Sequence, residues 1–114
     1  MRMHGMEIAT AARYSIPVIF LVSNNGSYAS VHNRVQIKSA KGKLGKLPLI
    51  DWCEFAKSIG ADGCVVSKSS ELDHAIERAL NSSKPFVIDL RTHPEEPFSE
   101  TITVPNGSWP DILK

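Results

Sequence analysis

An unbroken apolar run, Val18-Ile19-Phe20-Leu21-Val22, gives way at once to Ser23-Asn24-Asn25-Gly26-Ser27-Tyr28. A continuous β-branched and aromatic run marks a strand buried on both faces, as in a parallel sheet covered by helices. The polar cluster then falls at the carboxyl end of that strand, where open α/β sheets bind their ligands. Two Asn, a Gly and a Ser offer amide side chains and backbone groups with little steric bulk. Asn25-Gly26 is also a strong short hairpin signal. A hairpin needs alternating apolar residues on both sides. The upstream run does not alternate, and Tyr28-Ala29-Ser30-Val31-His32 makes a poor partner strand.

The rest of the chain repeats the helix-then-strand rhythm. The Ala-rich stretch from His4 to Tyr14 favours helix and must stop before Pro17. Asp51 with Glu54 three residues on is a capping-box variant. Behind it Trp52, Phe55, Ala56 and Ile59 share one helical face, and Gly60 is a natural stop. Gly63–Ser67 reads as a strand. Ser70 opens a further helix with Leu72, Ile76, Ala79 and Leu80 predicted inward, and Pro85–Arg91 reads as a third strand. Helix, strand, helix, strand, helix, strand implies an α/β fold: a three-layer arrangement with a mainly parallel sheet between flanking helices. Residues 1–91 form the domain part, and the Pro-rich, acidic stretch 92–114 reads as a tail.

At 114 residues the chain has the size of one small domain, and its hydrophobic share of 42% is that of a globular chain. Thirteen basic and twelve acidic residues leave a net charge of +1, which gives no support to nucleic-acid or anionic-membrane binding. No apolar run reaches the length of a membrane span, and the amino terminus has no apolar signal core, so a cytoplasmic location is expected. Cys53 and Cys64 show no metal or redox spacing and are expected to be small apolar residues. The Asn-x-Ser sequons at Asn25, Asn81 and Asn106 are then chance matches. Lys38, Lys41, Lys43 and Lys46 lie in an irregular stretch without interleaved aromatics and read as a solvated loop.

The order Gly5-Met6-Glu7-Ile8-Ala9-Thr10-Ala11-Ala12-Arg13-Tyr14, Pro17, an apolar strand and Asn24-Asn25-x-x-Tyr28 resembles the pyrophosphate-binding domain of thiamine-diphosphate-dependent enzymes. The likeness is to the acetolactate synthase and 2-keto acid decarboxylase group, and it continues through Asp51–Gly63, Glu71-Leu72 and Pro85–Asp89. The resemblance implies thiamine diphosphate and Mg2+ as cofactors. It implies Asn24, Asn25, Gly26, Ser27 and Tyr28 as cofactor-binding residues, with the Asn25 side chain and the Ser27 carbonyl as metal ligands. Neutral oxygens beside an anionic diphosphate suit a hard cation that keeps few protein ligands.

The family's Gly-Asp-Gly turn, whose Asp is the further metal ligand, occurs nowhere in this chain. Ala61-Asp62-Gly63 comes after the Asn pair, and Ser27 and Ala29 stand where the family has Gly. The partner domain bearing the Glu that activates the cofactor is absent as well. The expectation is a fragment of a thiamine-diphosphate-binding domain, without catalytic residues of its own and inactive alone. It is expected to associate with the missing remainder of the parent enzyme or with further copies of itself. The competing expectation is a free-standing interaction domain that kept the fold and lost the cofactor. Glu7 reads as a helix-terminal carboxylate. His4 and His32 have no partner carboxylate in sequence, His74 lies on a helix beside Asp73 and reads as solvent-facing, and His93 falls in the tail.

Overall fold

The computed structural model describes residues 1, 3–28 and 47–93. The lysine-bearing stretch within residues 29–46, His32, and the expected tail from residue 94 on, with Trp109, lie outside the described residues.

Helix α1 (Glu7–Arg13) leads into strand β1 (Ile19–Asn24). The exit is a left-handed residue, Ser15 at φ 53°, and the Ile16 N–H returns to the Ala11 carbonyl at 2.9 Å. A left-handed residue just past the last turn satisfies orphan carbonyls. After the undescribed residues 29–46 come helix α2 (Trp52–Ser58), strand β2 (Asp62–Val66), a single 3-10 turn (Ser69–Glu71), helix α3 (Leu72–Leu80) and strand β3 (Phe86–Arg91). The sheet order is β1-β3-β2, and both pairings are parallel. Thus β3, last in sequence, is the central strand.

The helices form two layers around that sheet. On one face Ile8 of α1 and Trp52 and Ala56 of α2 pack with Val22, Ala61 and Val87. On the other, Ala75 and Ala79 of α3 pack with Val66, Phe86 and Ile88. The three-layer parallel reading of the sequence is therefore the fold.

Local chemistry explains the ends. The Asp51 Oδ1 accepts the Glu54 N–H at 2.9 Å, as an N-cap should. Glu54 does not complete the box; it pairs with Lys57 at 2.8 Å on the surface. The Glu71 carboxylate accepts the N–H groups of Ser67 and Lys68 at 3.0 and 3.2 Å, and these bonds hold its pKa below the ordinary carboxylate value. Gly63 allows β2 to approach β3: a Cβ there would lie 2.6 Å from the Val87 carbonyl oxygen. Cys53 is buried and Cys64 half-buried, both are free, and burial pushes both thiols up.

Three burial expectations need correction. The strand predicted to be buried on both faces is buried on one. Val22 is buried, while Ile19 is 37% and Leu21 59% exposed. The reason is topological: β1 is an edge strand, and α3 covers the β3–β2 half of that face only. The face of α3 is also rotated from the predicted one. Ala75 and Ala79 meet the sheet, and Ile76 and Leu80 are exposed. Two alanines let the helix axis come close to Phe86 and Ile88, which larger side chains would prevent. In α2, Trp52, Cys53 and Ala56 are buried, but Phe55 is half-buried. Its ring stands edge-on to Trp52, with centroids 5.6 Å apart.

Candidate functional site

The end of β1 is fixed from below. Asn24 is 7% exposed, and its side chain points inward. Its amide nitrogen donates to the Asp89 Oδ1 and to the Ile50 carbonyl, each at 2.8 Å. Asp89 has no exposed surface, and its other oxygen accepts the Trp52 N–H at 3.0 Å and the Arg91 guanidinium at 2.9 Å. Arg91 also lies 3.7 Å from Asp51, the cap of α2. A buried carboxylate is tolerated only when its lone pairs are filled in this way.

The chain then turns. The Asn25 Oδ1 accepts the Ser27 N–H at 3.0 Å, closing an Asx turn. Gly26 takes φ 64°, a left-handed conformation that suits glycine, and its carbonyl accepts the Leu47 N–H at 2.7 Å. The partner of this turn is Leu47, and the segment after Tyr28 that the hairpin alternative would pair with β1 lies outside the described residues. The Ser27 hydroxyl is buried with no hydrogen-bond partner there, and Tyr28 is half exposed.

Asn24 through Tyr28 line one small cavity of about 160 Å³, walled elsewhere by Met1, Leu47 and Trp52. The polar groups of the turn converge on it. Larger clefts exist. One of about 590 Å³ lies at the opposite end of the sheet, where Asp62 and Phe86 begin their strands. Its lining mixes Asp62 and Glu77 with Arg78 and Lys84, so it presents no field of one sign. The smaller cavity holds the convergent polar groups, and geometry outranks volume here.

The donor set at the turn consists of neutral oxygens. The Asn25 Oδ1 uses one lone pair on Ser27 and keeps the other, and the Ser27 carbonyl is a second oxygen donor. Asp89 does not join them, since it has no exposed surface and does not line the cavity. Among the described residues no group of three or more His, Cys, Asp and Glu side chains could hold a metal. The residues present fit the neutral part of a magnesium-diphosphate cradle.

The structure thus brings the five predicted site residues to one cavity, but it gives Asn24 an inward, structural partner. Sequence reasoning left Asp89 without a role. Its signal was available: one charge within the apolar strand Phe86-Val87-Ile88-Asp89-Leu90, which must be paired if buried.

Residues 1–90 match the family described as thiamine pyrophosphate enzyme, C-terminal TPP binding domain. The chain is 33% identical over 97 residues to the Bacillus subtilis protein YdaP, covering 85% of this chain and 17% of that one. It is 28% identical over 91 residues to the benzoylformate decarboxylase of Pseudomonas aeruginosa, with 77% and 17% covered. Among solved structures, a thiamine diphosphate-dependent 4-hydroxybenzoylformate decarboxylase from Rhodococcus jostii RHA1 superposes with a TM-score of 0.71 at 28% identity, covering 78% of this chain and 17% of that one. The chain therefore spans about 17% of the length of the relatives it matches. With the parallel sheet and the polar turn at the end of β1, these matches place the chain in the family of C-terminal thiamine-pyrophosphate-binding domains of thiamine pyrophosphate enzymes.

Proposed function

We propose that the chain supplies the later part of a thiamine-diphosphate- and magnesium-binding domain in a 2-keto acid decarboxylase or carboligase of the acetolactate synthase kind. Residues 1–91 are the domain part and 92–114 the tail. The observation that carries the reading is the turn itself. Asn25 and Ser27 line one cavity and bring neutral oxygens to it, and the buried Ser27 hydroxyl there has no partner among the described residues. The Asn25 side chain and the Ser27 carbonyl hold the magnesium ion. The backbone of Asn24–Ser27 flanks the diphosphate, and Tyr28 lines its approach. When bound, thiamine diphosphate supplies the electron sink that decarboxylation of a 2-keto acid requires. This chain's residues bind and orient; none acts as an acid or base on the substrate. Glu7 lies exposed in the first turn of α1, and the Asp89 carboxylate is spent on structure.

Calorimetric titration with thiamine diphosphate and magnesium, paired with a carbon dioxide release assay on pyruvate, tests both halves. The expected result is weak binding, with Kd on the order of millimolar because the donors are uncharged. Asn25→Ala weakens it further, and the 114-residue chain releases no carbon dioxide. Binding indifferent to Asn25→Ala overturns the ligand assignment. Turnover by the chain alone overturns the claim that it holds no catalytic residue.

The partner follows from the edge. Among the described residues β1 has no second neighbour in the sheet, and Ile19 and Leu21 lie exposed beside it. Unpaired apolar edges associate. The chain is therefore expected to form dimers or larger species, or to take up the remainder of the parent enzyme, in the cytoplasm. Among the described residues no helix is long and apolar enough to cross a membrane. Sedimentation should show association at about tens of micromolar, and a clean monomer there counts against it. The same uncovered residues favour one second reading, a free-standing interaction domain without cofactor. Association without any response to thiamine diphosphate would select it.

A further inference from the structure

We infer that Asp89 is a positioning residue for the Asn25–Ser27 turn, acting through Asn24. The inference deepens the reading of that turn as the diphosphate-facing element and rests on it for its purpose. Asp89 reaches three segments at once. One oxygen takes Asn24 at the end of β1; the other takes the first N–H of α2 and the guanidinium at the end of β3. Asn24 and Arg91 are register partners, as are Val22 and Asp89, so the three polar side chains share one face of the sheet.

The amide of Asn24 donates twice, to Asp89 and to the Ile50 carbonyl. With both donors engaged, the side chain cannot rotate without leaving a buried acceptor unpaired, which is the costly case. The next residue is Asn25. The bond that shapes the turn from within is local, from Asn25 to Ser27. That bond sets the curvature of the turn but not where it sits over the sheet. Asp89 supplies the placement, 65 residues away in sequence from Asn24 and beneath the floor of the cavity. It touches neither metal nor phosphate.

The test uses the 114-residue chain without cofactor and reads hydrogen exchange by NMR. In the wild type, both Asn24 side-chain amide protons should exchange about a hundredfold more slowly than those of exposed Asn81. In Asp89→Asn, the backbone amides of Ser27 and Leu47 should exchange roughly tenfold faster. Val66→Ala, a destabilising change in the other core, should leave those two amides as they are. Asn24→Ser, which removes the amide and leaves Asp89 with its Trp52 and Arg91 partners, should speed both amides by a similar factor. Wild-type Asn24 protons that exchange like those of Asn81 overturn the inference. So does an equal response to Asp89→Asn and Val66→Ala, or an Asn24→Ser variant whose Ser27 and Leu47 amides exchange as in wild type. If Asp89→Asn does not fold, the wild-type measurement and Asn24→Ser decide. A chain that fails to bind thiamine diphosphate leaves all these rates unchanged, so the two readings fail separately.

Discussion

Phe86→Ala is expected to remove about 3–5 kcal/mol of stability, the range for truncating a buried aromatic side chain. Phe86 is 2% exposed and opens the central strand. It packs with Val66, Ala75, Ala79 and Ile88, and the Arg78 guanidinium lies 5.6 Å from its ring centroid. Truncation therefore leaves a cavity under α3 and removes a cation–π contact. The alanines around it are too small to fill the space. Against a total of about 5–15 kcal/mol for a native domain, the variant should be partly or wholly unfolded at room temperature. Urea unfolding followed by far-UV circular dichroism reads this directly. A midpoint equal to wild type would show that α3 does not seal this face. The same truncation at Phe55, half-buried beside Trp52, removes less area from the core and costs correspondingly less.

Gly63→Ala should be nearly as damaging, although it adds only a methyl group. That methyl would lie 2.6 Å from the Val87 carbonyl oxygen and 3.5 Å from the Cys53 Cα. Both neighbours are main chain, one in the central strand and one in α2, so neither can swing aside. Overpacking costs about 1–3 kcal/mol where side chains can adjust, and this site should reach the upper end. Relief requires β2 to separate from β3, or α2 to lift from the sheet. Thermal unfolding of Gly63→Ala against wild type is the measurement. An unmoved midpoint would mean that β2 and β3 are not held at this spacing in solution.

Much of this architecture is legible in local sequence, because each element carries its own signal. The apolar runs before Asn24 and after Pro85 specify strands, and the structure has them at Ile19–Asn24 and Phe86–Arg91. Asp51 announces a helix start, and its side chain makes the bond. What local pattern could not show is which neighbours each element has. The run Val18–Val22 looks doubly buried, yet β1 is an edge strand with Ile19 and Leu21 uncovered. Helical periodicity placed Ile76 and Leu80 inward, whereas close packing against Phe86 and Ile88 selects the alanines. At the site, the composition of the turn was readable but its support was not. Asn24 and Asn25 are adjacent and chemically identical; the alternation of β1 turns the first inward, and Asp89 is the buried partner that meets it there.

The place of β3 has a consequence for how the chain comes into being. Among the described residues β1 and β2 do not pair with each other; each pairs with β3, which is made last of the three. While residues 1–85 are being synthesised, none of these strand pairings can exist. The apolar segment of β1 must wait for a partner some 65 residues downstream, as the Asn24–Asp89 separation measures. Such non-local pairing is slow, because loop closure precedes any gain from contact. These pairings therefore form only once β3 has left the ribosome. Until then Ile19–Val22 lacks the strand it pairs with among the described residues, and chaperones hold apolar segments of this kind during synthesis.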